Sequence, residues 1–156
     1  MKHSGLSLVC LVLILLSSCS GGGFSVLSAD LRSESVCSLS GGELKLEESA
    51  LYFSVLPDGD GGTYSFSLED PDGLVWEGSL HASEGGYVSE DLRLTDGLAF
   101  RSGDYSWRVI DESGQVVSGS VSYSADFSCL QPVSSAEGSG EYRDSFGNTV
   151  TVYGQP

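Results

Sequence analysis

The feature that most constrains this chain is an alternating pattern of side chains between Leu98 and Tyr123. Tyr105, Trp107 and Val109 fall on one face of an extended segment, and the residues between them are polar. A period of two is typical of a half-buried β-strand. The sequence from Asp111 to Gly114 then favours a turn, and the alternation resumes after it. We therefore predict a β-hairpin at this position.

The same hairpin occurs a second time, 41 positions earlier in the chain. When Tyr64–Leu80 is placed over Tyr105–Val121, seven of 17 residues are identical. The apolar positions of the two copies also coincide, so both hairpins are predicted to bury the same face. Apolar residues recur at a helical period in no segment, and Gly, Ser and Thr are frequent between the short candidate strands. These patterns predict an all-β fold, with a single antiparallel β-sandwich domain over residues 37–130.

The segments around the two hairpins predict further strands. Glu43–Leu56 reads as one or two strands, and Tyr87–Thr95 as another, because apolar residues alternate with polar ones in both. Residues 131–156 form a C-terminal extension, in which Glu141–Tyr153 is a candidate hairpin with its turn at residues 146–148. Two interpretations of this hairpin remain open: an added edge strand or a mobile end.

The residues from Gly103 to Trp107 resemble the tyrosine-corner region of immunoglobulin-like and fibronectin type III domains. In those domains a Tyr opening the penultimate strand bonds back to the preceding loop, and the resemblance assigns that contact to Tyr105. Trp107 stands where immunoglobulin domains usually carry a Cys. The resemblance implies an immunoglobulin-like architecture for the sandwich.

The amino terminus predicts export. A short basic end, Met1 to His3, precedes an apolar run from Leu6 to Leu16. The run has 11 residues, whereas a membrane-spanning helix needs about 20. Its length suits the central region of a secretory signal peptide, which we assign to residues 1–18.

The residues Leu16, Ser17, Ser18 and Cys19 resemble the lipobox of bacterial lipoproteins. The resemblance implies cleavage before Cys19 and lipidation of that cysteine, with residues 19–36 as a flexible tether. Ser20, in place of an Asp, favours the outer membrane as the cell-envelope location. Two alternatives are an ordinary signal peptide with a Cys near its cleavage site and a cytosolic protein with an apolar first strand.

The chain is strongly acidic, with a formal net charge of −15. Without residues 1–18 it carries six cations and 22 acids, a formal charge of −16. Such a surface repels nucleic acids, so we expect no DNA or RNA partner. The acidity fits either a soluble exported surface or the binding of a cation or a basic partner.

Two cysteines remain after cleavage and lipidation, Cys37 and Cys129. They flank the predicted sandwich domain, and in an oxidising envelope we predict a disulfide between them. The alternative is a pair of free thiols.

The sequence offers weak candidates for ligand sites. Asp58 and Asp60, joined by Asp70 and Asp72, could present oxygen ligands to Ca²⁺, although the same residues suit ordinary turns. Trp76 and Trp107 suit either a sugar-stacking platform or the core. A catalytic triad would have to use His81, but no Ser of the chain lies in a recognisable nucleophile motif. We expect no enzymatic activity and no cofactor other than calcium.

The sequence therefore favours a lipid-anchored interaction module of the cell envelope. Such a module would reach the membrane through its lipid and bind another envelope or extracellular protein through loops or an edge strand. A calcium- or glycan-binding module is the alternative, and a hydrolase is a third possibility.

Overall fold

The computed structural model describes residues 23–59 and 61–154, and within them it contains 11 β-strands and no helix. No helix long and apolar enough to cross a membrane occurs in that part of the chain. The prediction of an all-β fold is confirmed. The strands are β1 (Ser25–Ser40), β2 (Glu43–Asp58), β3 (Tyr64–Glu69), β4 (Val75–Ser83), β5 (Gly86–Ser89), β6 (Leu92–Leu94), β7 (Gly103–Asp111), β8 (Val116–Tyr123), β9 (Gln131–Ala136), β10 (Ser139–Arg143) and β11 (Thr149–Tyr153).

The strands form one continuous hydrogen-bonded sheet. Its order is β8-β7-β3-β4-β5-β2-β1-β11-β10-β9, and β6 pairs with β2 beside this path. All of the pairings are antiparallel except that of β1 with β11, which is parallel. The expectation of a wholly antiparallel sheet is therefore wrong at this one pair. The parallel pairing brings the end of the chain back alongside its first strand.

The two repeated hairpins are β3–β4 and β7–β8, and they lie side by side through the pairing of β3 with β7. Ser67 and Arg108, which are 41 residues apart and therefore equivalent in the repeat, face each other at the middle of this ladder. The pair Phe66 and Val109 on one side of them is equivalent to the pair Trp107 and Leu68 on the other, so the two hairpins are related by a local pseudo-twofold axis. The repeat seen in the sequence is thus a symmetric four-stranded unit in the fold.

The sheet rolls over so that its two halves share one core. Phe53 of β2 and Trp107 of β7 are separated by three strands in the sheet order, yet their ring centroids lie 6.1 Å apart. The hydroxyl of Tyr123 in β8 donates a hydrogen bond of 2.8 Å to Ser33 Oγ in β1. Tyr64 and Trp107, predicted to face inward, are 6% and 8% exposed. Burial of these rings supplies the main drive for folding.

The first strand begins earlier than predicted. β1 starts at Ser25, so the prediction of a flexible tether over residues 19–36 is wrong from Ser25 onward. Phe24 already contacts the core, with its ring centroid 5.5 Å from that of Tyr64. The strand was missed because several of its buried side chains are small and polar, including Ser33 and Ser35. Cys19 lies outside the described residues.

The C-terminal extension joins the sheet. The candidate hairpin is present as β10 and β11, and β9 adds a further strand beside β10. Val150 and Val152 of β11 pack against Cys37 of β1 in a second, smaller core cluster. The sheet is therefore not confined to residues 37–130, and the interpretation of residues 141–153 as a mobile end is wrong.

In each repeated hairpin an aromatic ring lies over a glycine of the neighbouring strand. Phe66 is paired with Gly78, and at the equivalent position Trp107 is paired with Gly119. A Cβ added to Gly119 would lie 2.6 Å from Cζ2 of Trp107, and one added to Gly78 would lie 3.1 Å from Cε1 of Phe66. Both glycines are therefore required for close packing of a ring rather than for a turn.

We expect Gly119→Ala to reduce the free energy of unfolding by about 1–3 kcal/mol, because the new methyl group overlaps a buried indole ring that has little room to move. Gly78→Ala is the matched control and should cost less, because its clash is milder. Urea unfolding followed by Trp fluorescence measures both. Equal stability of Gly119→Ala and the unaltered protein would contradict this packing.

Candidate functional site

Three turns of the structure share one construction: Asp70–Leu74, Asp111–Gln115 and Asp144–Asn148. In each, the N–H of the first residue donates to the carbonyl of the fifth at 2.9–3.0 Å, and the N–H of the fourth, a Gly, donates to the carbonyl of the first at 3.0–3.2 Å. The Asp Oδ1 accepts from the backbone N–H of the third and fifth residues at 2.8–2.9 Å. The third turn was not predicted to repeat the other two, although all three share the sequence spacing Asp-x-x-Gly.

This construction accounts for one of the four carboxylates considered as calcium ligands, that of Asp70. Asp70 Oδ1 is already occupied by two backbone donors, and Asp72 pairs with the guanidinium of Arg101 at 3.3 Å. Asp58 ends β2 and accepts a hydrogen bond from Ser25, whereas Asp60 lies outside the described residues. The described part of the chain holds no group of three or more His, Cys, Asp or Glu side chains placed to bind a metal ion. Turn capping occupies Asp70 Oδ1, and because Asp60 lies outside the described residues the calcium site over all four carboxylates stays a prediction.

The turn Asp144–Asn148 differs from the other two because its first and fifth residues are buried. Asp144 is 6% exposed and Asn148 is 3% exposed. The side chain of Asn148 accepts from Ser33 N at 2.9 Å and donates to Ser124 O and to Asp144 Oδ2, both at 2.8 Å. One amide therefore connects β1, the residue following β8, and the β10–β11 hairpin. A buried polar group is tolerated when all of its partners are present, as here.

The carboxyl group of Asp144 stays ionised in this setting. Burial raises its pKa, but hydrogen bonds from the Asn148 side chain and from the backbone N–H groups of Asp126, Asn148 and Phe146 outweigh burial, and the net pKa lies below its ordinary value. Asp126 N donates to Asp144 Oδ2 at 3.0 Å, which adds the segment after β8 to the same network. The network holds the rolled sheet closed near the end of β8.

The predicted disulfide is not formed, and both cysteines are free thiols. Cys37 faces the small core between β1 and β11, whereas Cys129 is exposed in the loop after β8. Burial, followed by the nearby charge of Glu47, raises the pKa of the Cys37 thiol. A buried thiol of raised pKa is unreactive, so Cys37 acts as a small hydrophobic residue.

The aromatic and histidine candidates are placed as follows. Trp107 lies in the core, and the half-buried Trp76 packs against the same core, with its ring centroid 5.8 Å from that of Phe100. Both Trp side chains are therefore used in core packing. Tyr105 makes the predicted tyrosine-corner contact, since its hydroxyl donates to Arg101 O at 2.8 Å. His81 is exposed, with its Nε2 3.5 Å from the carboxylate of Glu90.

The outer face of β4-β3-β7-β8 is a polar surface with a shallow groove of about 550 Å³. Across the middle of this face, one residue from each of the strands β4, β3, β7 and β8 forms a row in the order Glu77, Ser67, Arg108 and Ser118. Arg108 marks the pseudo-twofold axis and gives this acidic molecule one cation at the centre of the groove. The groove is lined by Ser67, Glu69, Val75, Ser106, Trp107, Arg108, Ser118 and Gly119.

Comparisons of the chain with models of protein families, with curated proteins and with solved structures find no match.

We expect Asn148→Ala to reduce the free energy of unfolding by about 2–4 kcal/mol, because it leaves Ser33 N and Ser124 O buried without partners. Gln115→Ala is the matched control, since Gln115 occupies the fifth position of the equivalent exposed turn, and it should change stability by no more than about 0.5 kcal/mol. Chemical denaturation measures both. Similar effects of the two substitutions would contradict the role given to Asn148.

The ionised Asp144 also predicts a pH dependence. Because its pKa is lower in the folded state, its contribution to stability is present above the unfolded pKa of about 4 and is lost as the pH falls through the folded value. Asp144→Asn should therefore be less stable than the unaltered protein at pH 7 and should lose less stability on acidification. Urea midpoints between pH 7 and pH 2.5 test this expectation. An unchanged acid-side slope would contradict it.

Proposed function

We propose that this chain is a lipid-anchored, non-catalytic interaction module of a bacterial cell envelope. The observation that carries the proposal is the order of features at the amino terminus: a basic end, an apolar run of signal-peptide length, and Leu16, Ser17, Ser18 and Cys19 in succession. Acylation of Cys19 would give a stable anchor, because each buried methylene contributes about 0.8 kcal/mol and two or more chains are attached.

The short spacing between anchor and domain supports this arrangement. β1 begins at Ser25, six positions after Cys19, and Phe24 packs on Tyr64. A lipid on Cys19 would therefore hold the body of the protein close to the bilayer. The charge of −16 would repel anionic headgroups and keep the sheet turned toward partners rather than lying on the membrane.

We also propose that the rolled sheet is an immunoglobulin-like sandwich, to which the C-terminal strands are an addition. In that architecture the first strand lies beside the second and the second beside the fifth, while the third, sixth and seventh form the other layer. The orders β1-β2-β6 and β3-β7-β8 support this assignment, with β4 extending the second layer beside β3. The contact of Phe53 with Trp107 joins the two layers.

An interaction role is supported by how the acidic turn residues are used. The carboxylates of Asp70, Asp111 and Asp144 each cap a turn through Oδ1. They stabilise a rigid scaffold rather than forming a centre for chemistry. A rigid sheet that carries a polar outer face and open strand edges suits recognition of another polypeptide.

Replacement of the lipidated cysteine tests the anchor. We expect the unaltered protein to incorporate a palmitate analogue and to sediment with membranes, and Cys19→Ala to lose the label and enter the soluble fraction. Cys129→Ala is the matched control, because it removes the exposed thiol and should keep both properties. The result that overturns the proposal is a Cys19→Ala protein that remains labelled or remains with the membrane.

A further inference from the structure

The outer face of the two repeated hairpins carries many small hydroxyl side chains. Three rows of paired residues cross this face from β4 to β8, and six of their 12 side chains are Ser. Strand propensity favours β-branched residues such as Thr and Val, so the need to form strands does not account for these serines. All six are exposed or half-buried: Ser65, Ser67, Ser79, Ser106, Ser118 and Ser120.

The groove on this face forms where small side chains surround a long one. Arg108 stands between Ser67 and Ser118 in the middle row, and Ser106 lies two positions earlier on the same strand. The indole of Trp107, which also borders the groove, packs in the core on the inner side of the sheet. The groove is therefore lined mainly by hydroxyl groups, with a cation at its centre.

Arg108 differs from most cations of this acidic chain because it has no carboxylate partner. Of the six Lys and Arg side chains after residue 18, four form ion pairs. Among the described residues, Arg108 forms none, and neither does Arg143 of β10, which lies outside the groove. Glu69 borders the groove, but its Oε1 lies beside its own turn, 3.9 Å from the position of a Cβ on Gly73. The guanidinium of Arg108 is therefore free to bind a group from outside the chain.

The side chains around Arg108 select the chemistry of that group. A guanidinium presents a planar fork of N–H donors, which matches the two oxygens of a carboxylate. A Ser hydroxyl both donates and accepts hydrogen bonds, as the hydroxyl groups of a sugar do. A polypeptide fits this surface less well, because β3 and β7 have partner strands on both sides and Ser is depleted at protein interfaces.

We propose that this groove binds a neutral glycan through a single carboxylated sugar of the uronic or sialic acid class. Arg108 holds the carboxylate, and the hydroxyl groups of Ser67, Ser106 and Ser118 bind neighbouring hydroxyl groups of the glycan. This inference goes beyond the recognition of a polypeptide proposed above, because it assigns a second class of ligand to the face of the sheet.

The charge of the protein limits the ligand to one carboxylate. Without residues 1–18 the chain has a formal charge of −16, which repels a polymer with an acid on every sugar. Glu77 lies in the same row as Arg108, two strands away, which separates their Cα atoms by about 10 Å. A phosphate carries up to about two negative charges and is repelled more strongly than a carboxylate. A neutral glycan with one acid therefore fits this surface best.

The probe is sialyllactose, in which one carboxylated sugar is attached to neutral lactose. Lactose alone is the matched control ligand, and a short peptide of Ser and Gly with a central Glu presents the same carboxylate on a polypeptide. Nuclear magnetic resonance titration of residues 20–156, which contain all 11 strands, measures the binding. We expect saturable shifts at Arg108 and its Ser neighbours, and an affinity for lactose at least about tenfold lower, since lactose lacks the charge-assisted hydrogen bonds.

Matched substitutions test the role of the guanidinium. Arg108→Ser introduces the residue found at the equivalent position of the first hairpin, Ser67, and should weaken binding of sialyllactose by at least about tenfold. Arg143→Ser is the matched control and should leave binding unchanged. Arg108→Lys keeps the charge but loses the planar fork, so it should also weaken binding, and it serves where Arg108→Ser fails to fold.

The outcomes decide the proposal. Weaker binding in the Arg108 variants, together with retention in Arg143→Ser, supports the glycan site. Absence of binding, equal affinities for lactose and sialyllactose, an equal loss in Arg143→Ser, or tighter binding of the peptide would overturn it. None of these results bears on the anchor, because labelling of Cys19 and membrane fractionation test the anchor separately.

Discussion

The antiparallel pairing of β3 with β7 is the interaction on which the rest of the structure depends. It joins two copies of one hairpin about a local axis at Ser67 and Arg108, and it turns their aromatic residues toward the same side. That side becomes the inner face when the sheet rolls and Phe53 reaches Trp107. The same pairing places the second strand of each hairpin on the outside, which leaves β8 at the end of the sheet.

The same turn conformation has two roles in this molecule, and the residue at its fifth position determines whether a turn is exposed or links separate strands. Leu74 and Gln115 leave the first two turns exposed, whereas Asn148 carries an amide that links β1 to the end of β8. The buried copy thereby holds the C-terminal strands against the body. Because three partners converge on one side chain, the closure is specific, and it depends strongly on each of them.

Strands could be predicted from the sequence where large apolar side chains alternate with polar ones, but not where the buried residues are small and polar. The two hairpins were predictable, because bulky apolar residues and turn chemistry mark them, whereas the contact of Tyr105 was predicted by the resemblance to the tyrosine corner. β1 was not, since Ser33 and Ser35 occupy inward positions. The disulfide prediction failed because sequence order shows that Cys37 and Cys129 flank a domain but not that one thiol faces the core and the other faces solvent.

The closure of the rolled sheet can be tested directly at β8, which forms a backbone ladder with β7 on one side while β1 lies alongside its other edge without a backbone ladder. The bond from Asp111 N to Gln115 O sets the alternation of the ladder, so the N–H groups of Val117 and Gly119 point to β7 and those of Ser118 and Ser120 point toward β1. Residue-resolved amide hydrogen exchange measures this property in the isolated domain. We expect alternation along the strand, with slow exchange at Val117 and Gly119 and faster exchange at Ser118 and Ser120. Protection of Ser118 and Ser120 equal to that of their neighbours would contradict this expectation, because it would mean that β8 also forms a backbone ladder with β1.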